Sequence, residues 1–200
     1  MLKNLLLTPL IVFVLSIPAL AEKIPLSEAS KYLNALQQAS GDFTQINADG
    51  TVSTGKLLIK RPGRMRFEYA APDNSLVIAG GSRVAVFDAK SNQAPEQFPL
   101  NRTPLGLILA RNVNLNQSNM VVGHDDDGTA TTVKVQDPKH PEYGNIQLKF
   151  TNNPVELRQW IITDDSGVQT TVILGELDRT AKFGPSVFNI VQEIIRRGLN

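Results

Sequence analysis

GKLLIKRPGRMRFEY, residues 55–69, carries the clearest structural signal in this 200-residue chain. On both sides of its centre, apolar residues alternate with polar ones: Leu57 and Ile59 lie two residues apart, and Met65 and Phe67 repeat that spacing. A period of two predicts two β-strands, each with one apolar face. The central KRPGR contains a proline, which fixes φ, and a glycine, which accepts positive φ. The stretch therefore predicts a β-hairpin.

Arg61 lies in the turn of this hairpin, at the edge of the apolar surface that the two strands predict. A guanidinium group keeps its charge at physiological pH and carries five hydrogen-bond donors. A cation in this position must find acceptors, so we expect Arg61 to act as a latch between the hairpin and a neighbouring element. The alternative is an ordinary solvated turn residue.

The rest of the chain predicts one helix, many short strands and one inserted helix. The first helix is expected over residues 25–39, with Ser27 as its N-cap and Ser40-Gly41 at its end. Ten strands are expected over residues 43–48, 52–60, 64–70, 76–79, 83–88, 120–124, 129–136, 146–151, 157–163 and 168–177. Short strands joined by tight turns predict one strongly curved antiparallel sheet, a barrel or half-barrel.

The inserted helix is predicted from TPLGLILA, residues 103–110, which is apolar on every side. A helix of about two turns is not stable alone in water, so it must lie against apolar surfaces on more than one side. Two interpretations stay open: a buried core helix, or a lid over a cavity.

The first 21 residues are typical of a secretory signal peptide, with Lys3 at the start, an apolar run over residues 5–17 and small residues before a cleavage point after Ala21. We therefore expect a mature domain of residues 22–200 that is exported to the periplasm. The chain has no cysteine, so disulfides do not stabilise it, but roughly 180 residues are enough for one domain with its own core.

The charge balance argues against nucleic acid as a partner. The chain has 20 Lys and Arg against 19 Asp and Glu, and removal of Lys3 makes the two sets equal. Nucleic-acid binding favours a basic surface. A local cluster that includes Lys60, Arg64 and Arg66 is a candidate surface for an acidic partner or for lipid headgroups.

The sequence does not predict an enzyme. It has no cysteine nucleophile and no G-x-S-x-G motif, and its two histidines, His124 and His140, lie in polar stretches typical of loops. Residues 123–134 resemble a calcium loop only in part, because Gly123 and Lys134 stand where two oxygen ligands are needed. We therefore expect neither a metal site nor a cofactor.

Several motifs occur in one order along the chain: FTQ at 43–45, G-x-L-x-x-K-R-P at 55–62, F-x-Y-x-x-P at 67–72, V-x-x-F-D at 84–88 and T-P-L-x-L-I at 103–108. With the signal peptide and first helix before them, these motifs resemble the outer-membrane lipoprotein carrier family (LolA-like), the periplasmic chaperones of the Lol pathway. The match runs to about residue 112, and KF at 182–183 with Phe188 is similar to the family's closing strand.

The resemblance implies a mostly β fold with short helices: an unclosed antiparallel β-barrel covered by an α-helical lid, with an apolar cavity between them. It implies that the protein takes acylated lipoproteins from an inner-membrane ABC transporter complex and delivers them to an outer-membrane receptor. It also implies that Arg61 hydrogen-bonds to the lid. We expect a monomer.

Apolar residues on the predicted strands and helices are candidates to line the cavity or the lid: Leu33, Leu36, Phe43, Leu57, Ile59, Met65, Phe67, Leu76, Ile78, Phe87, Leu105, Leu107, Ile108 and Leu109. Sequence alone does not distinguish a hollow interior from a packed one. Two other functions therefore stay open: a carrier of another amphiphile, such as a glycolipid or isoprenoid lipid, and an interaction module with a filled barrel. An interior filled throughout by side chains would argue against any carrier.

Overall fold

The computed structural model describes residues 22–116 and 119–199, so the predicted signal peptide lies outside the described residues. Within these ranges the α-helices are α1 (Leu26–Ala35), α2 (Leu105–Ile108) and α3 (Ile190–Arg197). Short 3₁₀ turns occupy Leu100–Arg102, Pro141–Tyr143 and Pro185–Phe188. The strands are β1 (Gln38–Ile46), β2 (Val52–Lys60), β3 (Arg64–Tyr69), β4 (Leu76–Gly80), β5 (Arg83–Phe87), β6 (Glu96–Pro99), β7 (Val121–Asp126), β8 (Thr131–Gln136), β9 (Asn145–Thr151), β10 (Glu156–Thr163) and β11 (Gln169–Leu174).

All the strands belong to one antiparallel sheet in the order β6-β5-β4-β3-β2-β1-β11-β10-β9-β8-β7. The first and last strands pair at its centre, with Phe43 opposite Leu174, whereas β6 and β7 are the two unpaired edges. The chain passes directly from one edge to the other through residues 100–120, which we name the crossover segment. The structure confirms the predicted mostly β fold with one unclosed antiparallel sheet.

The hairpin predicted from residues 55–69 is confirmed. Strands β2 and β3 pair with Ile59 opposite Met65 and Leu57 opposite Phe67, so these four apolar side chains share one face. Gly63 in the turn has φ of +69°, a conformation that glycine adopts without steric cost.

This face, which we name the inner face, is covered by α1 and by the crossover segment. The helix contributes Leu33, its C-cap residue Leu36 adds a second side chain, and the crossover segment contributes Ile108 and Leu109 to the same buried cluster as the hairpin. The sheet and its cover therefore share one continuous hydrophobic core.

Three of the candidate lining residues lie on the other face of the sheet. Leu76, Ile78 and Phe87 form a separate cluster beneath Ile190 of α3. Because neighbours along a strand point to opposite faces, it is Val77 and Ala79 of β4 that face inward. The sequence placed strand β4 correctly but assigned its apolar residues to the wrong face, since both faces of this strand are apolar.

The first helix is shorter than predicted. It ends at Ala35, and its N-cap is Pro25, without a side-chain capping bond, rather than Ser27. The predicted helix stop, Ser40-Gly41, lies within β1. A Cβ atom on Gly41 would stand 2.6 Å from the carbonyl oxygen of Glu176. This glycine allows two backbones to approach closely and does not end a helix.

Strand β6 was missed by the sequence analysis because it has no apolar pattern. All four of its residues are exposed. It is an edge strand that ends in Pro99, a residue that edges tolerate because its missing N–H is not needed there.

For the C-terminal segment, residues 187–198, the sequence allows either a strand continuing to a short helix or a loose tail. The structure has a 3₁₀ turn followed by the short helix α3. The Asn189 side chain caps α3 by accepting from the Gln192 N–H, and Gly198 ends it with φ of +66°. A Cβ atom on Gly80 would stand 2.1 Å from the Phe188 carbonyl oxygen, so this segment crosses directly over β4.

Candidate functional site

Arg61 is buried between the hairpin turn and the crossover segment, with only 6% of its surface exposed. Its Nη2 donates to the carbonyl oxygen of Ala110 and, over 3.4 Å, to Oδ1 of Asn34. Its Nε and Nη1 are buried without a hydrogen-bond partner among the described residues. Desolvation by burial lowers the pKa of Arg61. Among the described residues, the guanidinium is thus bonded through one of its three nitrogens, to the crossover segment and to α1.

The hairpin turn is also bonded through its backbone. The Gly63 N–H donates to the Leu109 carbonyl over 2.9 Å, and the Arg61 N–H donates to the Gln37 carbonyl over 2.8 Å. The turn thus contacts the crossover segment on one side and the chain just after α1 on the other.

Two polar residues of α1, which the sequence analysis missed, bind the crossover segment. Asn34 Nδ2 donates to the Val113 carbonyl over 2.8 Å, and Asn34 Oδ1 accepts from the Val113 N–H over 3.0 Å. Ser30 Oγ accepts from the Leu115 N–H over 3.0 Å and donates to the Leu26 carbonyl over 2.7 Å. The available signal was their spacing of four, which puts both on one side of the helix beside its apolar stripe.

The candidate lining residues on the inner face are packed against one another. Their exposed fractions range from 0% for Leu57 to 9% for Leu105, so these side chains have almost no access to water. Leu105 also borders an open cavity at the edge of the sheet. The buried set comprises Leu33, Leu36, Phe43, Leu57, Ile59, Met65, Phe67, Leu105, Ile108 and Leu109, with Leu107 partly buried against it. The expected hollow beneath the helix is therefore not present in this form of the described chain.

A cavity of about 490 Å³ opens where the crossover segment leaves the edge of the sheet. We name it the mouth cavity. It lies between the β6 side and the ends of β9 and β10, and much of its wall is apolar. Its lining residues are Phe98, Pro99, Arg102, Thr103, Pro104, Leu105, Tyr143, Ile162, Asp164 and Asp165. Its size is that of a site for one small apolar ligand.

Two of the three residues predicted as a partner surface instead hold the C-terminal segment. Lys60 Nζ donates to the Phe183 carbonyl over 2.7 Å. Arg66 donates to the Val187 carbonyl over 3.1 Å and forms ion pairs with Glu68 at 2.6 Å and Glu193 at 3.5 Å. Arg64 is half-buried and borders a groove beside the same segment.

Glu193 is the buried centre of this ion-pair group. Burial alone would raise its pKa, but hydrogen bonds from Arg196 and Arg197 and the charge of Arg66 bring the pKa down to about 2. The carboxylate therefore stays ionised and holds α3 against β3.

The two histidines contact different parts of the molecule. His124 Nε2 lies 3.0 Å from the Ile24 carbonyl, and His140 stacks on Tyr143 and contacts Glu142. The described residues contain no group of three acidic, histidine or cysteine side chains placed to hold a metal ion. Within the same residues, no helix is both long and apolar enough to span a membrane.

Comparison with known families gives a match to "Outer membrane lipoprotein carrier protein LolA" over residues 34–191. The chain belongs to this family. The matched range contains the hairpin, Arg61, Asn34 and the whole crossover segment.

Named relatives agree with this assignment. An outer-membrane lipoprotein carrier protein of Azotobacter vinelandii is 26% identical over 180 residues, covering 85% of this chain and 84% of its own. One of Chromohalobacter salexigens is 26% identical over 183 residues, covering 83% and 84%. Among solved structures, a LolA superfamily protein from Nitrosomonas europaea is 11% identical, with a TM-score of 0.47 and coverage of 82% of this chain and 95% of its own.

The family assignment supports a lipoprotein-carrier-like role for this protein. The curated relatives reported above are named as lipoprotein carriers.

Proposed function

We propose that this protein is a periplasmic chaperone that binds the acyl chains of lipoproteins on the inner face of its sheet. It takes them from an inner-membrane ABC transporter complex and delivers them to an outer-membrane receptor, and it works as a monomer. Cleavage after Ala21 releases it into the periplasm. The observation that carries this proposal is the buried contact of Arg61 with the crossover segment, directly above an apolar inner face.

In this proposal, the packed interior belongs to the closed state of the carrier. Acyl chains enter only when the crossover segment lifts and exposes the inner face. In this proposal the segment is the lid, Arg61 is its latch, and the buried inner-face residues become the lining of the opened cavity. The mouth cavity, already open to solvent, is where an acyl chain first meets apolar surface.

The unpaired donors of Arg61 favour opening. A buried donor without an acceptor costs about 1–3 kcal/mol, and two nitrogens of Arg61 have no acceptor among the described residues. The closed form is therefore held less firmly than a fully bonded arginine would hold it. A ligand with greater affinity for the open form shifts the equilibrium by that difference in affinity.

Direct hand-over between apolar sites fits the energetics of the cargo. A triacylated lipoprotein has ~45 methylene groups at ~0.8 kcal/mol each, so release into water would cost ~35 kcal/mol. This exceeds the ~20 kcal/mol ceiling of non-covalent affinity. A carrier that meets its donor and acceptor directly needs only small differences between successive sites.

A titration of the mature protein with a fluorescent hydrophobic probe tests the proposal. We expect one saturable site, from which an acylated peptide displaces the probe and the same peptide without acyl chains does not. Absence of a saturable site would mean a filled barrel with another function. Mass spectrometry of lipid that co-purifies from the periplasm separates lipoprotein cargo from a glycolipid or isoprenoid lipid.

A further inference from the structure

The crossover segment is bonded to the rest of the molecule by a short row of polar side chains. Arg61 binds the Ala110 carbonyl, Asn34 binds both backbone groups of Val113, and Ser30 binds the Leu115 N–H. Ser30 and Asn34 are one helical turn apart on α1, and their partners follow in reverse order along the segment. The segment therefore lies antiparallel to α1, attached through its backbone rather than by secondary structure of its own.

Helix α1 is itself held at both ends by the sheet. Before it, the Ile24 N–H donates to Thr131 Oγ1 of β8 over 2.9 Å. After it, the Gln37 carbonyl accepts from the Arg61 N–H, and β1 begins at the next residue. The helix is thus a fixed support. The segment that it binds is joined to the sheet at Leu100, whose N–H donates to the Ser82 carbonyl, and at Met120, whose carbonyl accepts from Gln136.

Within this row, Asn34 contacts both Arg61 and the backbone of the crossover segment. Its Oδ1 accepts from the Val113 N–H at 3.0 Å and from Arg61 Nη2 at 3.4 Å. Its Nδ2 donates to Val113 and thereby fixes the orientation of the amide, so that Oδ1 points toward the guanidinium.

We infer that Asn34 is a positioning residue that couples Arg61 to the crossover segment, so that residues 109–115 detach from α1 and from the hairpin in one step. This inference rests on the proposed function only in naming the segment as the lid; the coupling itself concerns the empty protein. The latch then consists of two groups: Arg61 and the Asn34 side chain of α1, whose Oδ1 accepts from both Arg61 and Val113.

Residue-resolved amide hydrogen exchange of the empty protein tests the coupling. Three amides report on it: Val113, bonded to Asn34; Leu115, bonded to Ser30; and Gly63, bonded to Leu109. In Asn34→Ala, we expect all three to exchange about tenfold faster, because one opening event exposes them together. Acceleration of Val113 alone would show that Asn34 makes only a local bond and would overturn the inference.

Asn34→Asp provides the second arm. It keeps an acceptor for Val113 and Arg61 but loses the donor to the Val113 carbonyl. If the shared acceptor carries the coupling, Leu115 and Gly63 exchange at least threefold more slowly in this variant than in Asn34→Ala. Equal rates in the two variants would exclude the shared acceptor.

Lys31→Ala is the matched control, because Lys31 is exposed on the same helix and bonds only to Glu28. It should leave the three amides unchanged, and amides of the β1–β2 ladder should stay protected in every variant. Hydrogen exchange is measured without cargo, so the two proposals fail separately. Failure of the probe titration would refute the carrier function but would not affect the exchange result. Uncoupled exchange of the three amides would refute the coupling role of Asn34 but would not affect the carrier function.

Discussion

Arg61 combines three properties: it is charged, it is buried, and among the described residues it is only partly bonded. The turn chemistry of KRPG and the apolar strands around it were enough to predict that this cation would need acceptors nearby. What the sequence did not provide was the identity of those acceptors. They are a backbone carbonyl and one amide side chain, and neither has a sequence pattern that marks it as a partner.

We predict that Arg61→Leu folds normally but does not transfer cargo. The substitution removes the bonds of Nη2 but also removes two buried unpaired donors, so the opposing effects on stability nearly cancel. The midpoint of thermal unfolding should shift by less than about 4 °C. Transfer of an acylated lipoprotein to the receptor should fall sharply. Unchanged transfer would remove Arg61 from the mechanism.

Tyr69 allows a prediction at alkaline pH. Burial raises the pKa of Tyr69 to about 12, with a further increase from nearby Asp73 and an opposing effect from its hydrogen bond to Gln45. The neutral phenol is favoured in the folded state, so its contribution to stability is present below pH 10 and is lost as the pH rises through 12. Between pH 9 and pH 11, the free energy of unfolding in urea should fall less for Tyr69→Phe than for the wild type. An equal fall in the two proteins would contradict this prediction.

At the scale of elements, helix α3 shows how a segment can be ordered by contacts that its own sequence does not reveal. Its eight residues are too few to be stable alone. Ile190 packs on Leu76, Ile78 and Phe87, and Glu193 binds Arg66. From the sequence, Leu76, Ile78 and Phe87 were expected to line the cavity and Arg66 to belong to a partner surface. The first expectation was wrong because β4 is apolar on both faces, so its pattern does not show which neighbour covers which face. The contacts of Arg66 with α3 come from a segment far along the chain, which the pattern of β3 does not reveal.

We predict that Glu193→Gln loosens α3 and reduces the acid sensitivity of the fold. Removing the carboxylate leaves Arg66 buried beside a weaker acceptor, and the free energy of unfolding should fall by about 1–3 kcal/mol at pH 6. Because the pKa of Glu193 is lowered to about 2, its stabilisation is present above the unfolded-state pKa near 4.5 and is lost as the pH falls toward 2.

Urea unfolding at pH 6 and at pH 2.5 measures this difference. The wild type should lose more stability between the two pH values than Glu193→Gln. Glu156→Gln is a suitable control, since Glu156 forms a half-exposed pair with Arg158 and exposed pairs contribute little. An equal loss in Glu193→Gln and the wild type would show that the carboxylate does not stabilise α3.

At the scale of the whole molecule, the strand order explains why a cover and a gap occur together. The N-terminal and C-terminal strands, β1 and β11, pair in the middle of the sheet, whereas its two edge strands, β6 and β7, do not pair with each other. The crossover segment is the covalent link between those two edges. Under the proposed function, lifting the segment therefore also widens the gap between β6 and β7.

The overall architecture was the part that the sequence predicted best, because period-two patterns and turn dipeptides report directly on strands and hairpins. β6 lacked that pattern and was missed, and with it the position of the gap. The state of the interior was not predictable either. Leu57 or Met65 would be apolar in the same way whether they faced a hollow or a packed core, and the structure shows the packed form.

The last prediction concerns the gap itself. The chain has no cysteine, so Gln97→Cys on β6 and Val122→Cys on β7 give a unique pair of exposed sites for spin labels. On addition of an acylated peptide, the distance between these labels should lengthen by about one strand spacing, ~5 Å, since the edges must part to admit a chain.

A second pair of labels, at Lys56 and Gln169, is the control, because it spans the middle of the sheet, where continuous ladders resist separation. That distance should stay constant. Lengthening of both distances would indicate general loosening of the sheet, and lengthening of neither would mean that cargo does not enter between the edges.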